Sequence, residues 1–431
     1  MTTKIVAVRG RRIWDSRGRP TVEADVELAG GACGRGMAPA GASRGRFEAV
    51  DLRDGGDDLG GFGVDRAVAN VNGAIADVLT GMNAAGQAAV DAALTDLDGT
   101  GNFSALGGNA SIAVSMAVLD AAAKAAGEPL WRHLAGDGPV RLPLPEIQIF
   151  GGGAHAGRRV DIQDFLIMPV GAASFDEAMV MTAEVYRAAG ELMDRRGRRA
   201  GVADEGGWWP DFATNEEALD TLALSIDAAG YRNGEVAISL DVAASEFGRD
   251  GRYRLGLEDR EFDTAEWLDI LYGWIDRYPI LSVEDPVGED DPEGMRAFTA
   301  AVGDKVQVIG DDFLVTDAAR VEAAIASGAC NAVLLKPNQS GTITATRCAM
   351  EAARAAGWGM VVSARSGETE DVAIVHLAVG WNTGQLKVGS FARSERMAKW
   401  NEALRIEEAL GGRAVYAGRD ALPAAVRNRG A

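Results

Sequence analysis

Histidine and cysteine are scarce in this 431-residue chain, which has three of each. His133, His155 and His376 are too few for a typical zinc site or histidine-centred triad. Cys33, Cys330 and Cys348 are odd in number, widely spaced and set in apolar stretches, which argues against a disulfide framework and predicts buried, reduced thiols. Basic residues are also in deficit: 43 against 63 acidic ones give a formal net charge of −20. Such a charge repels phosphate backbones and anionic membrane surfaces, so nucleic acid is not an expected partner. No run of about 20 apolar residues is present to span a bilayer, and the opening MTTKIVAVRG lacks the apolar core of a signal peptide, so a cytoplasmic protein is expected. With 47% hydrophobic and 25% charged residues the composition is that of an ordinary globular chain. Carboxylates and lysines are left to carry any chemistry.

The chain divides into two parts. In the first, TVEADVEL (21–28) alternates apolar and polar residues as a half-buried strand does, and ASIAVSMAVLDAAAKAAG (110–127) reads as an Ala-rich helix stopped by Gly127. Between them lies a small-residue loop, GASRGRFEA (41–49). Gly and Pro concentrate over 136–145 (GDGPVRLPLP) as in a linker, which places the boundary between a domain at 1–135 and another at 136–431.

The second part repeats one unit. Short apolar runs end in polar residues, at Asp241, Glu284, Asp311, Lys336, Ser363 with Arg365, and Lys387, and each run precedes a helical stretch. Successive positions are 43, 27, 25, 27 and 24 residues apart, the spacing of strand-plus-helix units in a parallel sheet. Solidly apolar runs fit a sheet covered on both faces, and six such units favour a closed α/β barrel. In barrels of this kind the C-terminal strand ends line the active site.

A single acid after an apolar strand is ordinarily a helix cap. Three carboxylates at successive strand ends, Asp241, Glu284 and Asp311, repel one another unless a cation holds them, and an all-oxygen set suits Mg²⁺. Lys336 and Lys387 at neighbouring ends could serve as Schiff-base nucleophile, proton-transfer base or partner to the acids; beside a divalent cation, like charge lowers a lysine pKa and favours the base. Such a site suits removal of a proton next to a carboxylate, where charge gathers on oxygen as the base works. Glu205 in DEGG (204–207) and Asp164 in DIQDF (161–165) stand at the entry to the barrel as candidate acids.

DSRGRPTVE (15–23), DEGG, SVEDP (282–286), ARSGETED (364–371) and KVGSFARSERMAKWN (387–401) resemble, in order and over nearly the whole chain, the signature segments of the enolase (phosphopyruvate hydratase) family. The resemblance implies a smaller N-terminal α+β capping domain on a C-terminal α/β, TIM-like barrel, with one or two Mg²⁺ ions, a phosphorylated hydroxy acid such as 2-phosphoglycerate as substrate, and a homodimer or larger homo-oligomer. Asp241, Glu284 and Asp311 then match the ligands of the first metal, and Ser43 the mobile-loop ligand of a second. Lys336 matches the general base, Lys387 the lysine that binds the substrate carboxylate, and Glu205 the acid that assists loss of hydroxide. Arg365 and Ser366 match a phosphate clamp, and His155 a histidine on a second closing loop.

The pattern departs from the family at several positions. Ala364 stands where the family has His, Asp164 where it has Glu, Arg44 where it has Thr, with Arg46 close behind; Pro337 follows the base, and Trp208 and Trp209 follow the DEGG turn. Shortening an acid by one C–C bond can displace it by about 1 Å, enough to cost on the order of a hundredfold in rate. Two added arginines bring planar forks suited to a further carboxylate or phosphate. The combination points to a second anionic substrate and resembles carboxyphosphonoenolpyruvate synthase, which joins a phosphonoformate unit carried as a CMP ester to a 2-phosphoglycerate skeleton. Ordinary enolase activity is the alternative, and a non-catalytic structural homologue a third reading.

Overall fold

A computed structural model describes residues 2–42, 45–232 and 234–427. Ser43 and Arg44 lie outside the described residues. The N-terminal part opens with three antiparallel strands, β1 (Ile5–Trp14), β2 (Pro20–Leu28) and β3 (Cys33–Met37), in the order β1-β2-β3. The Ala-rich stretch forms a helix, Gly108–Ala126, ended by Gly127 in the left-handed conformation at φ 72°. It lies directly on β2 and β3. A Cβ built on Gly34 would come within 2.1 Å of the Ala117 carbonyl oxygen, and one on Gly36 within 2.3 Å of that of Ala113. The small residues on both elements are thus what lets the helix backbone approach the sheet.

The second part is a closed eight-stranded barrel of β4 (Leu144–Gly151), β5 (Asp164–Met168), β6 (Ala237–Asp241), β10 (Ile280–Glu284), β11 (Gln307–Gly310), β12 (Ala332–Leu335), β13 (Gly359–Ser363) and β14 (Gly384–Ser390). A small separate sheet, β7 (Gly248–Arg249), β8 (Arg252–Leu255) and β9 (Arg260–Asp263), sits between β6 and β10 in sequence. The six strands expected from the repeat are all present and mutually parallel. β5 is the exception: it runs antiparallel to both β4 and β6. The connection from β4 to β5, residues 152–163, holds a single tight turn, Gly153–Ala156, and no crossover helix, and the chain returns alongside. As a result β5 begins at the barrel end where its neighbours finish, and its first residue, Asp164, stands level with Asp241 at the mouth.

Several expectations are corrected. Only Cys330 is buried; Cys33 opens the edge strand β3 and Cys348 lies on the outer face of the Ile343–Ala355 helix, so both are exposed, although all three thiols are free. The Gly- and Pro-rich stretch at 136–145 is already strand from Leu144 onward, and β14 continues past Lys387 to Ser390. No helix among the described residues is long and apolar enough to cross a membrane.

Candidate active site

The strands bring the charged residues together at one end of the barrel. Asp241 and Glu284 close β6 and β10 and are in register, Asp311 follows β11, Lys336 follows β12, and Lys387 on β14 is in register with Ser363 on β13. A small cavity is lined by Lys336, Lys387, Asp241, Asp164, Glu205, His155, Arg365 and Ser366. Ala364 also lines it, so the position without an imidazole is a wall of the site.

The three strand-end acids are each engaged by an ammonium. Lys387 Nζ lies 2.7 Å from Asp241 Oδ2, 2.8 Å from Glu284 Oε2 and 3.7 Å from Asp164 Oδ2. Lys336 Nζ contacts Asp311 Oδ2, and Gln339 Nε2 donates to the other Asp311 oxygen at 2.8 Å. Burial is the strongest single influence and pulls the Lys336 amine down, but the acids around it, Asp311 first and then Glu284, together hold its pKa above the usual lysine value. Burial and the adjacent Asp241 push Glu284 well up, and Lys387 pulls only part of the way back.

An oxygen-ligated cation fits this donor set on one observation in particular: Glu284 Oε1 is buried and has no hydrogen-bond partner among the described residues. Such an orphan is unusual in a protein interior and suits a divalent ion better than another proton donor. The closest triads of potential ligand atoms, within 4.8 Å of one another, are however His155–Asp164–Glu205 and Asp285–Asp311–Asp312. Lys387 bridges Asp241 and Glu284 of the expected set, and Lys336 pairs with Asp311.

A second group centres on His155, which sits on the tight turn Gly153–Ala156 after β4. There is no space for a side chain at Gly152, where a Cβ would meet the Ile162 carbonyl oxygen at 2.2 Å. His155 Nδ1 lies 3.1 Å from Asp164 Oδ1, and Nε2 lies 3.0 Å from Ser366 Oγ and 3.7 Å from Glu205 Oε1. Burial opposes charge on the ring, but Glu205 and Asp164 outweigh it and raise its pKa to about 9. Burial alone would raise Asp164, but the imidazolium brings it down to about 2. Glu205 is pushed up by burial, which suits a group that holds a proton for delivery.

The clamp residue Arg365 is 5% exposed and donates to Glu48 Oε2 at 2.9 Å. Ser366 Oγ accepts from the Ala42 amide at 3.2 Å, and Gly367 exchanges backbone bonds with Ala40, so the chain at Ala40–Ala42 lies beside the mouth. Arg46 does not reach the cavity. Its amide donates to Glu289 at 3.0 Å and its guanidinium lies 5.9 Å from the Phe47 ring, in a separate groove with Phe313 and Arg320. Trp208 likewise belongs to packing, stacked 4.7 Å from Tyr186, and Pro337 opens the short helix after Lys336.

Other residues of the site were not singled out from sequence. Gln163 donates to Asp241 at 3.0 Å, and Asp285 accepts from the amides of Asp311 and Asp312 at 2.9 and 2.7 Å while adopting a left-handed φ of 41°. Gln163 and Asp285 lie inside DIQDF and SVEDP, beside residues that were chosen. Arg396, fully buried, donates to the carbonyls of Arg365 and Val388 at 2.7 and 2.8 Å and so fixes the backbone of the clamp.

Comparison with known families agrees with this geometry over both parts of the chain. The enolase N-terminal domain matches residues 5–134, and the enolase C-terminal TIM barrel domain matches residues 139–425. Members of this superfamily are enzymes that use Mg²⁺. Two family matches that together cover nearly all of the chain, on a closed barrel with its acids and lysines at one mouth, show that the chain belongs to the enolase family.

Proposed function

We propose that the protein removes the proton next to the carboxylate of 2-phosphoglycerate and joins the resulting skeleton to a second anionic substrate, in the manner of carboxyphosphonoenolpyruvate synthase. The skeleton bonds through an oxygen to the phosphorus of a phosphonoformate unit carried as a CMP ester, and CMP leaves as its P–O bond to that phosphorus breaks. The observation that carries the first half is the shared cavity onto which Lys336, Lys387 and Glu205 all face. Asp241, Glu284 and Asp311 would hold Mg²⁺, and when bound the ion neutralises carboxylate oxygens on which negative charge gathers. Lys387 offers its ammonium to the substrate carboxylate. Lys336 Nζ takes the proton, and it can do so only when the Asp311 charge that now stabilises its ammonium is engaged elsewhere. Arg365 and Ser366 receive the phosphate, which requires Arg365 to exchange Glu48 for the ligand.

Two features support a second substrate. Ala364 leaves the cavity wall without an imidazole, and a further cavity of about 190 Å³, lined by Glu48, Asn109 and Asn338, shares Gly41 and Arg365 with the first. One feature favours ordinary dehydration instead: Glu205, pushed up by burial and 3.7 Å from His155 Nε2, is placed as an acid for a leaving hydroxide.

Mg²⁺ and 2-phosphoglycerate alone separate the readings. Formation of phosphoenolpyruvate at about 10 s⁻¹ or faster, typical of metabolic enzymes, would establish ordinary enolase activity. Negligible turnover, followed by a new phosphorus–carbon product in ³¹P NMR on adding CMP-phosphonoformate, is the expected result.

A further inference from the structure

Inside the barrel, Glu146 carries a carboxyl that no step above uses. It is fully buried on β4 and stands in register with Lys387 on the adjacent strand β14. In-register neighbours of a parallel pair direct their side chains to the same face, here the barrel interior. The Ser239 hydroxyl on β6 donates to Glu146 Oε2 at 2.8 Å, whereas Oε1 is buried with no hydrogen-bond partner among the described residues. The charged groups that act on Glu146 are Lys387 on β14 and Asp241 on β6, and burial, the largest influence, favours its neutral form.

Lys387 now depends on two acids that a cation would need. Its ammonium lies 2.7 Å from Asp241 and 2.8 Å from Glu284, with Asp164 further off at 3.7 Å. A divalent ion arriving at Asp241 and Glu284 repels the ammonium and takes its two nearest partners. Glu146, on the strand beside it, has an acceptor oxygen to spare. An ammonium has three donors, so one bond to Glu146 still leaves two for a ligand in the cavity that Lys387 lines.

We infer that Glu146 is a positioning residue for Lys387: its open oxygen takes up the ammonium when Asp241 and Glu284 turn to a divalent cation. The inference rests on the metal site proposed above. The test is calorimetric titration of the whole protein with Mg²⁺ alone, comparing wild type, Glu146→Gln and Glu146→Asp, with the melting temperature of each metal-free protein. Glu146→Gln keeps the shape and the Ser239 contact but cannot become an anion. It should weaken Mg²⁺ binding about tenfold or more, the scale of outer-shell substitutions, while the melting temperature holds or rises. Glu146→Asp should recover part of the affinity by restoring the charge. Unchanged Mg²⁺ affinity in Glu146→Gln overturns the inference, and so does an affinity loss accompanied by a matching fall in melting temperature, which would make Glu146 structural. Wild-type protein that binds no Mg²⁺ would overturn the metal site itself, an outcome distinct from failure at Glu146 alone.

Discussion

The floor and the rim of the barrel mouth are built on different principles. On the floor, Lys387 is clasped by Asp241 and Glu284 from strands of the same barrel, and all three are nearly sealed from solvent. At the rim, Arg365 is held by Glu48, a residue 317 positions away on a loop of the N-terminal part. Floor charges are fixed by strand geometry and are exchanged only when another cation arrives. The rim pair ties two parts of the molecule together, and under the proposed function it would open when an anion replaces Glu48. One region stores binding capacity; the other regulates access to it.

The largest expected effect follows from breaking the floor. Lys387→Met leaves Asp241 and Glu284 buried without their cation, and removing one partner of a buried ion pair costs about 3–5 kcal/mol. Chemical denaturation of the metal-free variant should show a loss of that order, and saturating Mg²⁺ should restore part of it by supplying the missing positive charge. A variant as stable as wild type without metal would mean that the floor charges are not coupled through Lys387.

At the rim the sign of the effect on binding reverses. Glu48→Gln removes the carboxylate that competes for Arg365, so inorganic phosphate should bind several-fold more tightly, by less than about 1.4 kcal/mol, the equivalent of tenfold. Isothermal titration reads this directly. Weaker phosphate binding would show that Glu48 holds Arg365 in place for the ligand rather than competing with it.

A pH-dependent effect concerns His155. Its folded pKa of about 9 lies above the ordinary 6.5, so the stability it contributes is complete below pH 6.5 and lost as pH rises through 9. Asp164, lowered from 3.8 to about 2, contributes stability that is present above 3.8 and lost as pH falls through 2. The pair is therefore strongest between about pH 4 and 6.5. Melting temperatures should fall more steeply between pH 6.5 and 9 for wild type than for His155→Gln, and parallel curves would separate His155 from that trend.

The floor was legible in the sequence and the rim largely was not. Asp241, Glu284, Asp311, Lys336 and Lys387 fall at a repeating interval after apolar strands, so their convergence follows from barrel geometry alone. Glu48 has no such periodicity, and its meeting with Arg365, 317 positions away, is set by tertiary packing rather than by a repeat. Arg46 was expected at the substrate from its charge and its place in that loop, but the chain turns it outward to Phe47 and Glu289. The antiparallel strand β5 escaped notice for a related reason: five residues carry its pattern, and its direction shows only in how it pairs with β4 and β6. That the lysines would lie against the acids is implied by opposite charges at neighbouring strand ends; which ammonium takes which carboxylate is decided by the strand order.

Solvent deuterium exchange at the α-carbon of 2-phosphoglycerate, followed by ¹H NMR with and without Mg²⁺, tests most directly whether this mouth abstracts a proton from carbon. Exchange in wild type that requires Mg²⁺ and falls at least about a thousandfold in Lys336→Ala, a loss within the usual worth of a positioned base, is the predicted result. Exchange that persists in Lys336→Ala, or none in wild type with the metal present, would contradict it.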